Sequence, residues 1–143
     1  MERLKPLAML LLRVALGVVF IYHGYPKLFT HTRQTMYALV HEDGLPAYFA
    51  YIAGVIEFGG GAMLVAGFFT TCAGLALTIE QAVVMWKVDH FFAHPLAVDR
   101  YQLALVCMAG AFVLAAMGPG PISLDAARGR SRGKSSSRPK RRD

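Results

Sequence analysis

Residues 7–29, LAMLLLRVALGVVFIYHGYPKLF, are apolar over the length of a bilayer. About 20 residues at ~1.5 Å rise cross ~30 Å of hydrocarbon. The run opens like a signal peptide, with Arg3 and Lys5 ahead of it. No small-residue cleavage site follows, and it continues into His23-Gly24-Tyr25-Pro26-Lys27, so an uncleaved first span is expected. Further apolar runs cover residues 47–68, 70–88 and 101–117. The second and third are separated only around Phe69-Thr70-Thr71, which forces antiparallel neighbours. The fourth stops at the breaker cluster Gly118-Pro119-Gly120. Residues 30–46 and 89–99 read as polar loops, the first with a short interfacial helix around Thr35–His41. The expected fold is an all-α membrane protein, a bundle of four transmembrane helices.

Charge separates body from tail. Residues 1–127 carry 7 Lys/Arg and 8 Asp/Glu, and residues 128–143 carry 8 Lys/Arg and 1 acid. The basic character therefore belongs to residues 128–143, which lack any apolar pattern and read as a disordered tail behind a membrane domain at 1–127. This distribution argues against a nucleic-acid binder and favours contact of the tail with anionic lipid. Arg3, Lys5 and the tail lie on one side of the four spans; Lys27, Arg33, Lys87 and Arg100 lie on the other. The heavier positive side marks the cytoplasm, so both termini are expected there.

Ionisable residues at membrane depth are expensive and face a bundle interior or a cavity. Arg13, Glu57 and Glu80 are the clear cases, with His23 nearer the outer face. Counted along antiparallel second and third helices, Glu57 and Glu80 reach nearly the same depth. At 100° per residue, Arg13, Gly17, Phe20, Gly24 and Lys27 share an ~80° stripe, as do Gly54, Glu57, Gly61, Leu64 and Phe68. Ala73, Ala76, Glu80 and Lys87 share a face of the third helix. One buried polar site of Arg13, His23, Glu57 and Glu80 is expected, with Arg13 within reach of at least one of the two carboxyls. It either shares a proton or binds a cation or polar head group such as a quinone carbonyl, or it only holds helices together.

Other features are read more plainly. His90 and His94 stand four apart, but Pro95 and the loop position argue against a metal site, and none is expected. His31 and His41 read as solvated. Tyr22, Tyr25, Tyr48, Tyr51, Trp86 and Tyr101 read as an interfacial aromatic belt. Cys72 and Cys107 read as small apolar core residues rather than a disulfide.

Three segments together resemble the DoxX family of small four-helix membrane proteins. They are Leu12-Arg13-Val14-Ala15-Leu16-Gly17 running to Phe20 and His23-Gly24-Tyr25-Pro26-Lys27-Leu28; Gly54-x-x-Glu57-x-x-Gly60-Gly61-x-x-Leu64-x-x-Gly67 followed by Thr70; and Gly118-Pro119-Gly120-x-x-Ser123-Leu124-Asp125. The resemblance covers residues 7–127. It implies four helices with cytoplasmic termini in a bacterial inner membrane, and an accessory, non-catalytic subunit of a quinone-linked oxidoreductase system. Arg13, Glu57 and Asp125 match motif positions, whereas Glu80 rests on depth alone and the basic tail is a departure. No cofactor is expected on the chain's own residues, with quinone as the candidate ligand. The expected partners are the bilayer and subunits of a membrane redox complex. A small transporter or lipid or quinone carrier, and a membrane assembly factor, are the alternatives.

Overall fold

A computed structural model describes residues 4–29, 46, 48–87, 89, 92, 96 and 98–128. The described residues contain no strand and lie mostly in four helices: α1 (Lys5–Phe29), α2 (Tyr48–Ala66), α3 (Thr70–Lys87) and α4 (Val98–Met117). A last helical turn follows at 124–128. The expected helix at 35–41 and the tail beyond Arg128 lie outside the described residues.

Helix ends follow from local chemistry. The second apolar run was expected to extend to 68, but α2 stops at Ala66 because Gly67 turns left-handed at φ +67. Gly67 N–H donates to the Leu64 carbonyl and Phe68 N–H to that of Met63, a Schellman cap. Gly118, at φ +77, closes α4 by donating to the Leu114 carbonyl.

Glycines set the closest approaches. A Cβ at Gly17 would lie 2.7 Å from the Gly61 carbonyl oxygen, and one at Gly24 would lie 2.5 Å from the Phe58 nitrogen. The α1 and α2 backbones therefore touch at these glycines, with Val65 Cγ2 also 2.6 Å from a Cβ at Gly17, as in small-residue membrane interfaces. α3 and α4 do the same where Gly74 meets Ala111 and Ala115. α1 packs most extensively on α2, and α3 on α4. Leu16, Phe20, Leu64, Leu77, Ala111 and Leu114 fill the space where the two pairs join.

The distribution of polarity is that of a protein in lipid. Leu11, Val18, Ile52, Val55, Ile79, Val106 and Phe112 face outward, while Arg13, Glu57, Glu80 and Gln81 are buried. An exposed apolar surface of this extent is foreign to a soluble monomer. By length and composition, α1 and α2 are each sufficient to cross a membrane, and 101–117 in α4 is a shorter apolar segment.

Three expectations are corrected. Ala76 is exposed, because the buried face of α3 runs through Thr70, Ala73, Gly74, Leu77, Glu80 and Gln81. Cys72 is exposed and only Cys107 is buried. Tyr22, Tyr25, Tyr48, Tyr51 and Trp86 are exposed as a belt requires, but Tyr101 is buried in the first turn of α4.

Candidate polar site in the helix bundle

The buried polar residues form two centres, not one. Arg13, on the inner face of α1, donates from Nη1 to the Pro119 carbonyl at 2.6 Å and from Nη2 to the Ile122 carbonyl at 2.7 Å. Its guanidinium sits beside Gly67, where a Cβ would lie 2.7 Å from Nη1. Asp125 receives the backbone N–H groups of Phe69 and Thr70 at 3.0 and 3.1 Å, and its own N–H donates to the Gly67 carbonyl at 3.0 Å. A carboxylate at the start of α3 satisfies orphan donors and complements the helix dipole. Arg13 and Asp125 thus tie the segment after α4 to α1 and to the α2–α3 turn.

The second centre lies at Glu57 of α2, ten residues back along the chain from Gly67, about 15 Å at helical rise. There Lys27 Nζ donates to Glu57 Oε2 at 2.5 Å, with both side chains largely buried. Lys27, not Arg13, is the partner of Glu57. Arg13, expected within reach of one of the two carboxyls, is instead committed to backbone carbonyls at the other end of the bundle. Glu80 lies next to this pair: it interacts electrostatically with Glu57 and Lys27, and its Oε2 accepts a hydrogen bond from Gln81 Nε2 at 2.6 Å.

A half-open cavity of ≈160 Å³ adjoins the pair. His23, Lys27, Glu57, Gln81, Asp89 and Cys107 give it polar and thiol groups, and Val19, Phe20, Val84, Leu103 and Ala104 give it apolar walls. His23 Nδ1 is 2.8 Å from the Val19 carbonyl oxygen. A carbonyl only accepts, so in the neutral ring Nδ1 carries the hydrogen and Nε2 is an acceptor. The cavity therefore combines a cation, an amide and a basic ring nitrogen within apolar walls, the composition of a small-molecule site. Among the described residues no three His, Cys, Asp or Glu side chains gather as metal ligands. His31, His41, His90 and His94 lie outside those residues.

The motif glycines act on packing. Gly54 and Gly61 receive α1, and Gly60 faces Leu77 of α3, whose Cγ would be 3.0 Å from an added Cβ. Gly118 and Gly120 are left-handed, at φ +77 and +73, and present the Pro119 carbonyl to Arg13.

The DoxX family model matches residues 8–94, which hold the first two of the three motif segments and leave Gly118–Asp125 outside. The chain belongs to the DoxX family. It is similar to the Inner membrane protein YphA of Escherichia coli (strain K12), 31% identical over 128 residues that cover 85% of this chain and 90% of the relative. It is also similar to the Inner membrane protein YqjF of the same organism, 27% identical over 127 residues that cover 87% and 95%. A third relative is named "Putative oxidoreductase CatD", of Bacillus subtilis (strain 168), 34% identical over 84 residues that cover 55% of this chain and 59% of the relative. No solved structure matches. This DoxX protein is thus a membrane protein related to inner-membrane proteins. Arg13, Lys27, Glu57 and Glu80 all lie inside the DoxX match, and Asp125 lies beyond it.

Lys27, Gln81, Asp89 and Cys107 were not foreseen as site residues. Only Lys27 carried a signal, since it shares the stripe of Arg13, Gly17, Phe20 and Gly24. Its position near the end of an apolar run made it look like an interfacial charge.

Proposed function

We propose that this DoxX protein is a non-catalytic accessory subunit of a membrane-bound, quinone-linked oxidoreductase system in the inner membrane. All four helices cross the bilayer, with both termini cytoplasmic, and the cavity beside Lys27–Glu57 takes the head group of a quinone. The observation that carries this reading is the placement of a buried ammonium–carboxylate pair and a basic histidine nitrogen in a half-open, apolar-walled cavity. A quinone carbonyl accepts from a donor such as Lys27, while the ring fits against Val19, Phe20 and Leu103. The name of the Bacillus subtilis relative supports a redox setting. The apolar outer surface and the Lys/Arg distribution support the topology.

The half-open cavity also favours a second reading, a small carrier of lipid or quinone that works without partner proteins.

Extraction from native membranes in mild detergent, followed by native mass spectrometry, tests both readings. Co-purified oxidoreductase subunits, with quinone retained by the native chain and lost in Lys27→Met, are expected. Quinone or lipid without protein partners would favour the carrier. Retention of neither would overturn both.

A further inference from the structure

Glu80 is the acid that the Lys27–Glu57 pair leaves without a counter-ion. It is 7% exposed, and its Oε1 is buried with no hydrogen-bond partner. The groups around it come from every helix packed there. Lys27 comes from α1 and Glu57 from α2; Gln81 is its neighbour on α3, and Cys107 on α4 interacts electrostatically with both carboxyls. His23 and Asp89 line the adjoining cavity. One ammonium balances one carboxylate, so with both acids ionised and His23 neutral the inner group of Lys27, Glu57 and Glu80 carries −1. An uncompensated charge at that depth is costly, and one proton removes it.

Glu80 also lies close to the source of that proton. Glu57 and Gln81 line the cavity, and Gln81 Nε2 donates to Glu80 Oε2, so Glu80 sits one side chain behind the cavity wall, held in place by an amide that is not itself a proton carrier. Lys27 and Asp89 place the cavity at the end of the bundle where α1 and α3 stop. In the other direction Leu16, Phe20, Leu64, Leu77 and Leu114, all 0–7% exposed, fill the interior.

We propose that Glu80 is a proton-loading site served from one face of the membrane. A proton from water at the cavity mouth adds to a lone pair of the Glu80 carboxylate and forms the carboxylic acid. It leaves by the same path, so the inner group alternates between −1 and 0. The apolar layer below it blocks exchange with the opposite face. The proposal does not need a bound quinone, and it uses the four-span reading only to name the served face as the non-cytoplasmic one.

The test uses the full chain carrying Cys72→Ser, reconstituted in phosphatidylcholine–phosphatidylglycerol vesicles. Infrared difference spectra between acidic and alkaline buffer should show a protonated-carboxyl band that shifts in heavy water and is absent in Glu80→Gln. If Glu80→Gln does not fold, Glu80→Asp should keep the band at a displaced frequency. In a second arm, Cys107 reports access through its reaction with a membrane-impermeant cationic methanethiosulfonate. Cysteines introduced singly at positions 41 and 135 mark the two faces. Cys107 should be labelled from the face that labels position 41 and protected from the face that labels position 135. A mistaken orientation in the four-span reading would exchange the faces without parting Cys107 from position 41. The proposal is overturned if no carboxyl band depends on Glu80. It is also overturned if Cys107 is labelled from the face of position 135, from both faces or from neither.

Discussion

Arg13 Nη1 donates to the Pro119 carbonyl at 2.6 Å, across 106 positions of sequence. With the Ile122 carbonyl on Nη2 and Asp125 on the first turn of α3, this contact fastens the segment after α4 against the bundle. Hydrogen bonds to charged groups contribute about 1.5–3 kcal/mol, and loss of an N-cap costs about 0.5–2 kcal/mol. Arg13→Met and Asp125→Ala should each lower the melting temperature in detergent. Both should also expose residues 118–128 to protease before the helices melt, which limited proteolysis followed by mass spectrometry would resolve.

Gly24 and Gly61 test the close approach of α1 and α2. An added methyl meets the Phe58 nitrogen at 2.5 Å in the first case and the Gly17 carbonyl oxygen at 2.7 Å in the second. Backbone cannot rotate away, so Gly24→Ala and Gly61→Ala should each cost roughly 1–3 kcal/mol, the usual range for overpacking. Gly59 in the same helix has nothing within 4 Å of an added Cβ. Gly59→Ala should be neutral or stabilise by up to ~1 kcal/mol through helix propensity. Detergent melting curves of the three variants check the contrast.

For the topology, single cysteines at positions 41 and 135 give opposite expectations in intact cells. An impermeant thiol reagent should modify position 41 and spare position 135. The reverse pattern would invert the proposed orientation.

The basic tail should be dispensable for folding. Residues 129–143 carry Arg, Lys, Ser and Gly with no apolar face to bury. Ending the chain after Arg128, which stacks on Phe68 at 5.2 Å, should leave stability within about 0.5 kcal/mol. The expected change is weaker contact with anionic lipid, measurable as a smaller difference in lipid retention between phosphatidylglycerol-rich and neutral vesicles.

The helices and their inner faces were legible in the sequence because lipid imposes a simple rule. Apolar length gives the element, and the positions of Arg, Glu and Gly give its inward stripe. α1 shows this directly: Arg13, Gly17, Phe20 and Gly24, placed together by phase, are buried together. Pairing was not legible, because phase assigns a face but not a partner. Arg13 and Glu57 face the same interior, yet Arg13 sits beside Gly67, ten residues or about 15 Å of helical rise from Glu57, and it donates to carbonyls of a segment 106 and 109 positions away. Ala76 was misplaced because it falls at the edge of the α3 stripe, where Leu77 takes the buried position. Tyr101 was misplaced because its residue type suits an interface as well as a core.

Lys27 and Glu57 form a buried polar centre apart from the Arg13 anchor. Double-mutant cycles measured by reversible detergent unfolding report this separation. Lys27→Met and Glu57→Gln should each cost up to 3–5 kcal/mol, the range for breaking a buried ion pair. The double variant should recover part of this, with a coupling of about 0.5–3 kcal/mol. Arg13→Met combined with Glu57→Gln should instead be additive within ~0.5 kcal/mol. Additive losses for Lys27 and Glu57 would show that the two are not paired, and coupling between Arg13 and Glu57 would merge the two centres into one.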